Sequence, residues 1–208
     1  MSSSNNLIVN KSKPFLGKVI IPGDKSISHR SIILGSLAKG KLIINNFLRS
    51  DDCLQTISAM RSLGAKIKNF NEQIIIEGIG LNNIKNPNKI IDAGNSGTLI
   101  RLLTGILSVQ NFTSTITGDD SLNLRPMRRI ISPLVAHGAM IDSNNFRAPL
   151  KIIGNTKLSP IFYKQDVASA QVKSCLMLAA LFIEGESKFY EDIVTRNHTE
   201  NLLEHLGY

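Results

Sequence analysis

At 208 residues, with 42% hydrophobic and 19% charged residues, the chain has the size and composition of an ordinary globular protein of one large or two small domains. Its net charge of +8 points to anionic partners, but the absence of Trp, the 5% aromatic content and the lack of any long Lys/Arg run argue against nucleic acid. The longest apolar-rich run, 176–183, is too short to span a bilayer, and residues 1–6 lack the basic and apolar regions of a signal peptide, so a cytoplasmic protein is expected.

In chain order, Val19-Ile20-Ile21 predicts a short strand, followed by Pro22-Gly23 and a helical period over 26–38. A strand over 41–46 and a helix over 50–63 ending at Gly64 come next, then strands near 66–68 and 74–76. The order returns with a strand at 90–91, a helix over 96–109, a strand over 113–117, a helix over 125–136 ending at Gly138, and strands near 140–141 and 150–153. A third round has a strand at 161–163, a helix over 169–183, a strand over 187–190 and a helix over 198–206 ending at Gly207. The helix-ending glycines recur at intervals of about seventy residues, each at the usual left-handed cap position.

The expected architecture is therefore α/β, made of repeated β-α-β-α-β-β units over about 18–80, 88–154 and 160–208. The third unit reaches Tyr208 before its two closing strands, so it is read as truncated. Cys53 and Cys175 fall in apolar-periodic stretches with no partner at metal-ligand spacing, and are expected to be buried free thiols.

Each unit places polar residues where its first strand turns into its first helix. These are Gly23-Asp24-Lys25-Ser26-Ile27-Ser28-His29-Arg30, then Asp92-Ala93-Gly94-Asn95-Ser96-Gly97-Thr98 with Arg101 a turn later, then Ser169-Ala170-Gln171-Val172-Lys173. Helix N-termini carry unpaired N–H groups and a partial positive charge, which favour anions. Lys25 offers a point charge and Arg30 a two-pronged fork for phosphate or carboxylate. Alone, a helix-start Ser is an N-cap and a helical Lys or Arg a solvated residue. Recurrence at equivalent points of three units lifts the set above those readings, and predicts that the three helix starts converge on one anion site.

Five ordered segments carry a family resemblance: 22–30, 94–98, Leu124-Arg125-Pro126-Met127, 169–173 and Thr195-Arg196-Asn197-His198-Thr199-Glu200. Together they strongly resemble the 5-enolpyruvylshikimate-3-phosphate synthases, in the form of the class II bacterial branch, from about Lys18 to Gly207. The resemblance implies transfer of the enolpyruvyl group of phosphoenolpyruvate to the 5-hydroxyl of shikimate 3-phosphate, with release of phosphate and no metal or organic cofactor. It implies a two-lobed fold of which this chain is one enolpyruvyl transferase lobe (18–208), with segment 1–17 belonging to the other, missing carboxy-terminal lobe.

By motif match, Lys25 is expected to contact both substrates and to be the catalytic residue of this lobe. Ser26, Arg30, Ser169, Ala170 and Arg196 are expected to hold shikimate 3-phosphate, Gly97 and Arg125 to hold phosphoenolpyruvate, and Gln171 to touch both, with Asn95 a weaker carry-over. The carboxylates, lysine and arginine clamp that finish such sites match nothing in this chain; none of the four histidines is taken as a replacement, and His198 is read as structural. The chain alone is thus expected to be inactive. A related transferase acting on UDP-N-acetylglucosamine would carry a reactive Cys on a loop near the second-unit glycine, which neither Cys53 nor Cys175 provides. A stand-alone binding module without chemistry stays open at this point.

Overall fold

The computed structural model describes residues 7–12, 14 and 16–208. Of the segment 1–17, residues 1–6, 13 and 15 lie outside the described residues. Helix α1 (Lys25–Leu37) is capped by Asp24, whose carboxylate accepts from Ile27 N at 2.7 Å, and runs into β1 (Lys39–Ile44). Helix α2 (Asp51–Ser62) follows, then the hairpin of β2 (Lys66–Phe70) and β3 (Gln73–Ile79). These strands form an antiparallel sheet in the order β1-β3-β2, with Leu42 opposite Ile76 and Ile67 opposite the same Ile76 across the other edge.

The next stretch gives β4 (Ile91–Asp92), α3 (Gly97–Ser108), β5 (Thr113–Thr117), a short α4 (Asp120–Asn123), α5 (Arg128–Ala136), β6 (Met140–Asn144) and β7 (Arg147–Ile153). Its sheet has the order β4-β5-β7-β6, with β4 parallel to β5 and the other pairs antiparallel. Along β7 alternate residues Ala148, Leu150 and Ile152 are buried, the period-two pattern of a sheet with one face on the core. The last stretch gives β8 (Phe162–Lys164), α6 (Ala170–Ala180), β9 (Lys188–Tyr190) and α7 (His198–His205), with β8 parallel to β9. Gly64, Gly138 and Gly207 end α2, α5 and α7 with φ of +100°, +102° and +87°, a conformation that costs other residues a Cβ clash.

The α/β class expected from the sequence holds, but one expected strand does not form. Residues 19–21 are not a strand: they pair with no strand among the described residues, and Val19, Ile20 and Ile21 are 82%, 88% and 75% exposed. Strand propensity is realised only where a side-chain face is packed, and among the described residues these three stay exposed. Ile91, the corresponding apolar residue of β4, is by contrast 3% exposed.

The core is built on the leading helices. Leu99, Ile100, Leu102, Leu103, Ile106 and Leu107 of α3 are all fully buried, so this helix is apolar on nearly every side and sits centrally. It packs against α6 on one flank and against α1, α2 and α5 on others. At the α3–α6 crossing the backbones touch: a Cβ on Gly105 would lie 2.1 Å from the carbonyl oxygen of Cys175. That close approach fixes how far apart the front ends of α3 and α6 stand.

Candidate functional site

The N-termini of α1, α3 and α6 are tied together by side chains. Ser96 and Ser169 cap α3 and α6 by accepting from Leu99 N and Val172 N. In the first turn of α6, Gln171 bridges the helices: its Oε1 accepts from Arg101 Nη1 at 2.9 Å and its Nε2 donates to Thr98 Oγ1 at 3.0 Å. Arg101 Nη1 also donates to Gly97 O at 3.1 Å. Burial lowers the Arg101 pKa, and the nearby Arg125 and Arg129 charges lower it further.

The α1 end is joined through Arg30, which is 4% exposed. Its Nε donates to Thr199 Oγ1 at 2.7 Å, its Nη2 to Ser174 Oγ at 2.7 Å and its Nη1 to Ser26 O at 3.2 Å, so α1 is bonded to α6 and α7 at once. Ser174 gives its own proton to Ala170 O, so Thr199 gives its proton to Ser174 and both hydroxyls accept from Arg30. Arg196, in the loop before α7, donates from Nη1 to Ser26 Oγ at 3.1 Å. Lys25 is half-exposed and pairs with Asp52 in the first turn of α2.

On the α3 side, Arg125 Nη2 donates to Asn95 Oδ1 at 2.5 Å, while Asn95 Nδ2 donates to Asp119 Oδ2 at 2.7 Å. The Asn95 bond above all, and then the bond from Leu122 N, hold the Asp119 carboxyl below its ordinary range. Gly97 lies under two guanidiniums: a Cβ there would meet Arg101 Nη1 at 2.8 Å and Arg125 Nη1 at 3.2 Å. Beside it opens a cleft of about 490 Å³ whose lining includes Arg101, Arg128, Arg129, Ser169 and Gln171.

Of the residues singled out by sequence, Asn95, Gly97 and Arg125 form one bonded or contacting group, Ser26, Arg30 and Arg196 a second, and Ala170 and Gln171 on α6 touch both through Ser174 and Arg101. Ser169 caps α6 and lines the cleft with Gln171. Lys25 starts α1, next to Ser26, but its ammonium is bonded to Asp52 rather than to either group. Thr98 and Thr199, inside the segments read from sequence, and Arg101, a turn past one, complete the arrangement without a role assigned from sequence, and Asp52 completes it with no sequence signal.

His29 and His137 are structural in their bonding. Thr56 Oγ1 donates to Asp52 O, so His29 Nδ1 carries the proton it shares with Thr56 at 2.6 Å, leaving Nε2 bare. Burial above all, with Lys25 and Arg30 nearby and only Asp52 opposing, lowers the His29 pKa to about 4. His137 is held between Pro133 O and Phe162 N. Both cysteines are free and buried, and burial pushes the Cys175 thiol up to about 12.

The family model for EPSP synthase (3-phosphoshikimate 1-carboxyvinyltransferase) matches residues 9–208. A 3-phosphoshikimate 1-carboxyvinyltransferase of Vesicomyosocius okutanii is 50% identical over 204 residues, covering 98% of this chain and 47% of that protein. One from Petrotoga mobilis is 49% identical over 193 residues, covering 91% and 45%. The solved structure of EPSP synthase from Acinetobacter baumannii superposes with a TM-score of 0.88 at 45% identity, over 92% of this chain and 44% of that one. The chain spans about half the length of the curated relatives it matches. With its leading helix starts bonded into one cationic face and a family model matched from residue 9 to residue 208, the chain belongs to the EPSP synthase (3-phosphoshikimate 1-carboxyvinyltransferase) family.

Proposed function

We propose that the α1–α3–α6 face binds phosphoenolpyruvate and shikimate 3-phosphate side by side, as the first-lobe half of an enzyme that transfers the enolpyruvyl group to the 5-hydroxyl and releases phosphate. The observation that carries the reading is the bridging of the helix starts: Gln171 to Thr98 and Arg101, Arg30 to Ser174, and Arg196 to Ser26. It gathers four guanidiniums, an ammonium and three helix N-termini on one side of the molecule.

The chemistry needs such a surface. Each substrate carries a phosphate and a carboxylate, and two unit charges about 4 Å apart repel by roughly 4 kcal/mol at the effective dielectric of a protein surface. Fixed cations offset that repulsion without reorganising, and hold the attacking hydroxyl against the enol carbon. Ser26, Arg30, Ser169, Ala170 and Arg196 are assigned to shikimate 3-phosphate, with Gly97, Arg125 and Asn95 assigned to phosphoenolpyruvate. Gln171 and Lys25 are assigned to the boundary between them. Three of the five N–H groups of Arg30 are spent inside the protein, which leaves two for a ligand.

Lys25 is the catalytic residue of this half, since its half-exposed ammonium can leave Asp52 for the bridging oxygen as charge develops there. The groups that move protons on the enol carbon and the hydroxyl are assigned to a second lobe of the same enzyme, which segment 1–17 would join. No helix among the described residues is long and apolar enough to cross a membrane, and two reduced thiols suit the cytoplasm.

The test is a chimera of residues 1–208 with the remaining half of a curated relative, assayed for phosphate release from the two substrates. Release that disappears in Lys25→Ala is expected, as is undetectable turnover by the 208 residues alone. A folded chimera that binds shikimate 3-phosphate but releases no phosphate would leave only a binding module.

A further inference from the structure

A buried lysine and two carboxylates sit behind the cleft, outside every substrate contact assigned above. Lys173 is 4% exposed, and its Nζ lies 2.6 Å from Glu191 Oε2 and 2.5 Å from Glu200 Oε1. Glu191 follows β9 directly, and Glu200 stands in the first turn of α7. Between them residues 191–197 carry neither helix nor strand, and Ile193 and Val194 are largely exposed. Arg196 is in this loop. One ammonium therefore holds both ends of the segment that presents Arg196 to Ser26. The loop is tied down further because Thr195 donates to Glu191 Oε1, which also accepts from Gln165 Nε2 at 3.0 Å.

Packing alone does not call for this arrangement. Val172 and Leu176 beside it on α6 are buried and apolar, and apolar residues in place of all three charged groups would stabilise the fold about as well as the ion pairs do. What a buried ion pair adds is a fixed register between the elements it joins. Its charge count is also suggestive. Two carboxylates against one ammonium leave a surplus negative charge near Arg30, whose pKa burial lowers most, the Arg196 charge lowers further and Glu200 raises. Burial costs both Lys173 and Glu191, yet their mutual hydrogen bonds outweigh it, so Lys173 stays protonated and Glu191 ionised.

We infer that Lys173 is a positioning residue: with Glu191 and Glu200 it fixes the 191–200 segment and thereby holds Arg196 beside Arg30 and Ser26, ready for an anionic group of the substrate. This use of Arg196 rests on the substrate reading above, whereas the tethering of the loop does not.

The experiment takes the 208-residue chain, follows amide hydrogen exchange, and titrates it with inorganic phosphate while observing the side-chain Nε–H signals of Arg196 and Arg125. In Lys173→Met, exchange at Thr195 and Arg196 is expected to accelerate about tenfold or more, while Leu103 in α3 keeps its protection. The phosphate response of Arg196 is expected to weaken by about tenfold, and that of Arg125 to stay as it was. Lys173→Arg, which keeps a cation with several donors, is expected to recover most of both. Should Lys173→Met unfold α6, the variant combining it with Glu191→Gln and Glu200→Gln removes the unpaired carboxylates and reads the same two signals. Unchanged exchange at Thr195 and Arg196 in a folded variant overturns the inference, and so does equal loss of the Arg196 and Arg125 responses. Faster exchange in the variant, together with a wild-type Arg196 indifferent to shikimate 3-phosphate, would support the tether and sink the substrate reading instead.

Discussion

Arg30 and Arg125 stand at opposite ends of one cationic face and are held in opposite ways. Arg30 is 4% exposed, bonded through all three of its nitrogens, and links three helices. Arg125 is only partly covered, and just one of its nitrogens is bonded, to Asn95 and weakly to Ser121. The same side chain thus serves at one end as a buried strut with two N–H groups to spare, and at the other as a half-covered donor that joins no helices. Charge alone does not separate the two roles; the count of protein partners does.

The sharpest way to break this contrast is Arg30→Leu. It strands Thr199, Ser174 and Ser26 O, and should cost about 3 to 4 kcal/mol in chemical denaturation. A loss no greater than that of a surface arginine would remove the distinction. Acid probes the same buried end. His29 is neutral in the fold with a pKa of about 4, whereas in the unfolded chain it takes up a proton below its ordinary 6.5. Its contribution is therefore present above pH 6.5 and lost as the pH falls toward 4, up to about 3 kcal/mol in all. Denaturation curves of wild type and His29→Asn across that window should converge as the pH drops, and parallel curves would show that the burial is not felt.

At the open end, Gly97→Ala pushes a methyl into the far ends of Arg101 and Arg125, both flexible. The expected stability cost is about 1 kcal/mol, accompanied by a shift of both guanidinium signals in NMR spectra. Smallest of all, Arg125→Leu should change stability by less than about 0.5 kcal/mol while abolishing the response of its neighbourhood to phosphate. A large stability loss there would make Arg125 a second strut.

Much of this was legible in the sequence because it is local. The capping serines Ser96 and Ser169, the terminating glycines and the apolar periods of α3 and α6 each declare themselves within a few residues. Helix α1 begins one residue earlier than its period suggested, because Asp24 rather than a serine caps it. Helix α5 starts at Arg128 rather than 125, since Pro126 disfavours helical backbone in the residue before it, and the short α4 fills part of the difference. Residues 19–21 misled because an apolar triplet states a preference for burial without stating a partner. The tie among Lys173, Glu191 and Glu200 was illegible for a related reason. Its members are 18 and 27 residues apart, no period joins them, and only the return of the chain past α6 brings them together.

Gly105 has a consequence that reaches well beyond its own position. It lies eight residues past Gly97, about 12 Å along the axis of α3, and Cys175 lies one turn past Gln171. A methyl at 105 would sit 2.1 Å from the Cys175 carbonyl oxygen, and ordinary contact begins near 3.4 Å. Relieving that overlap would spread the helices by about an ångström, enough to pull Gln171 away from Arg101 at the mouth. The bore of the cleft is therefore gauged deep in the interior, by a residue that never meets a ligand, and a drift in specificity could begin there with every cationic group still in place.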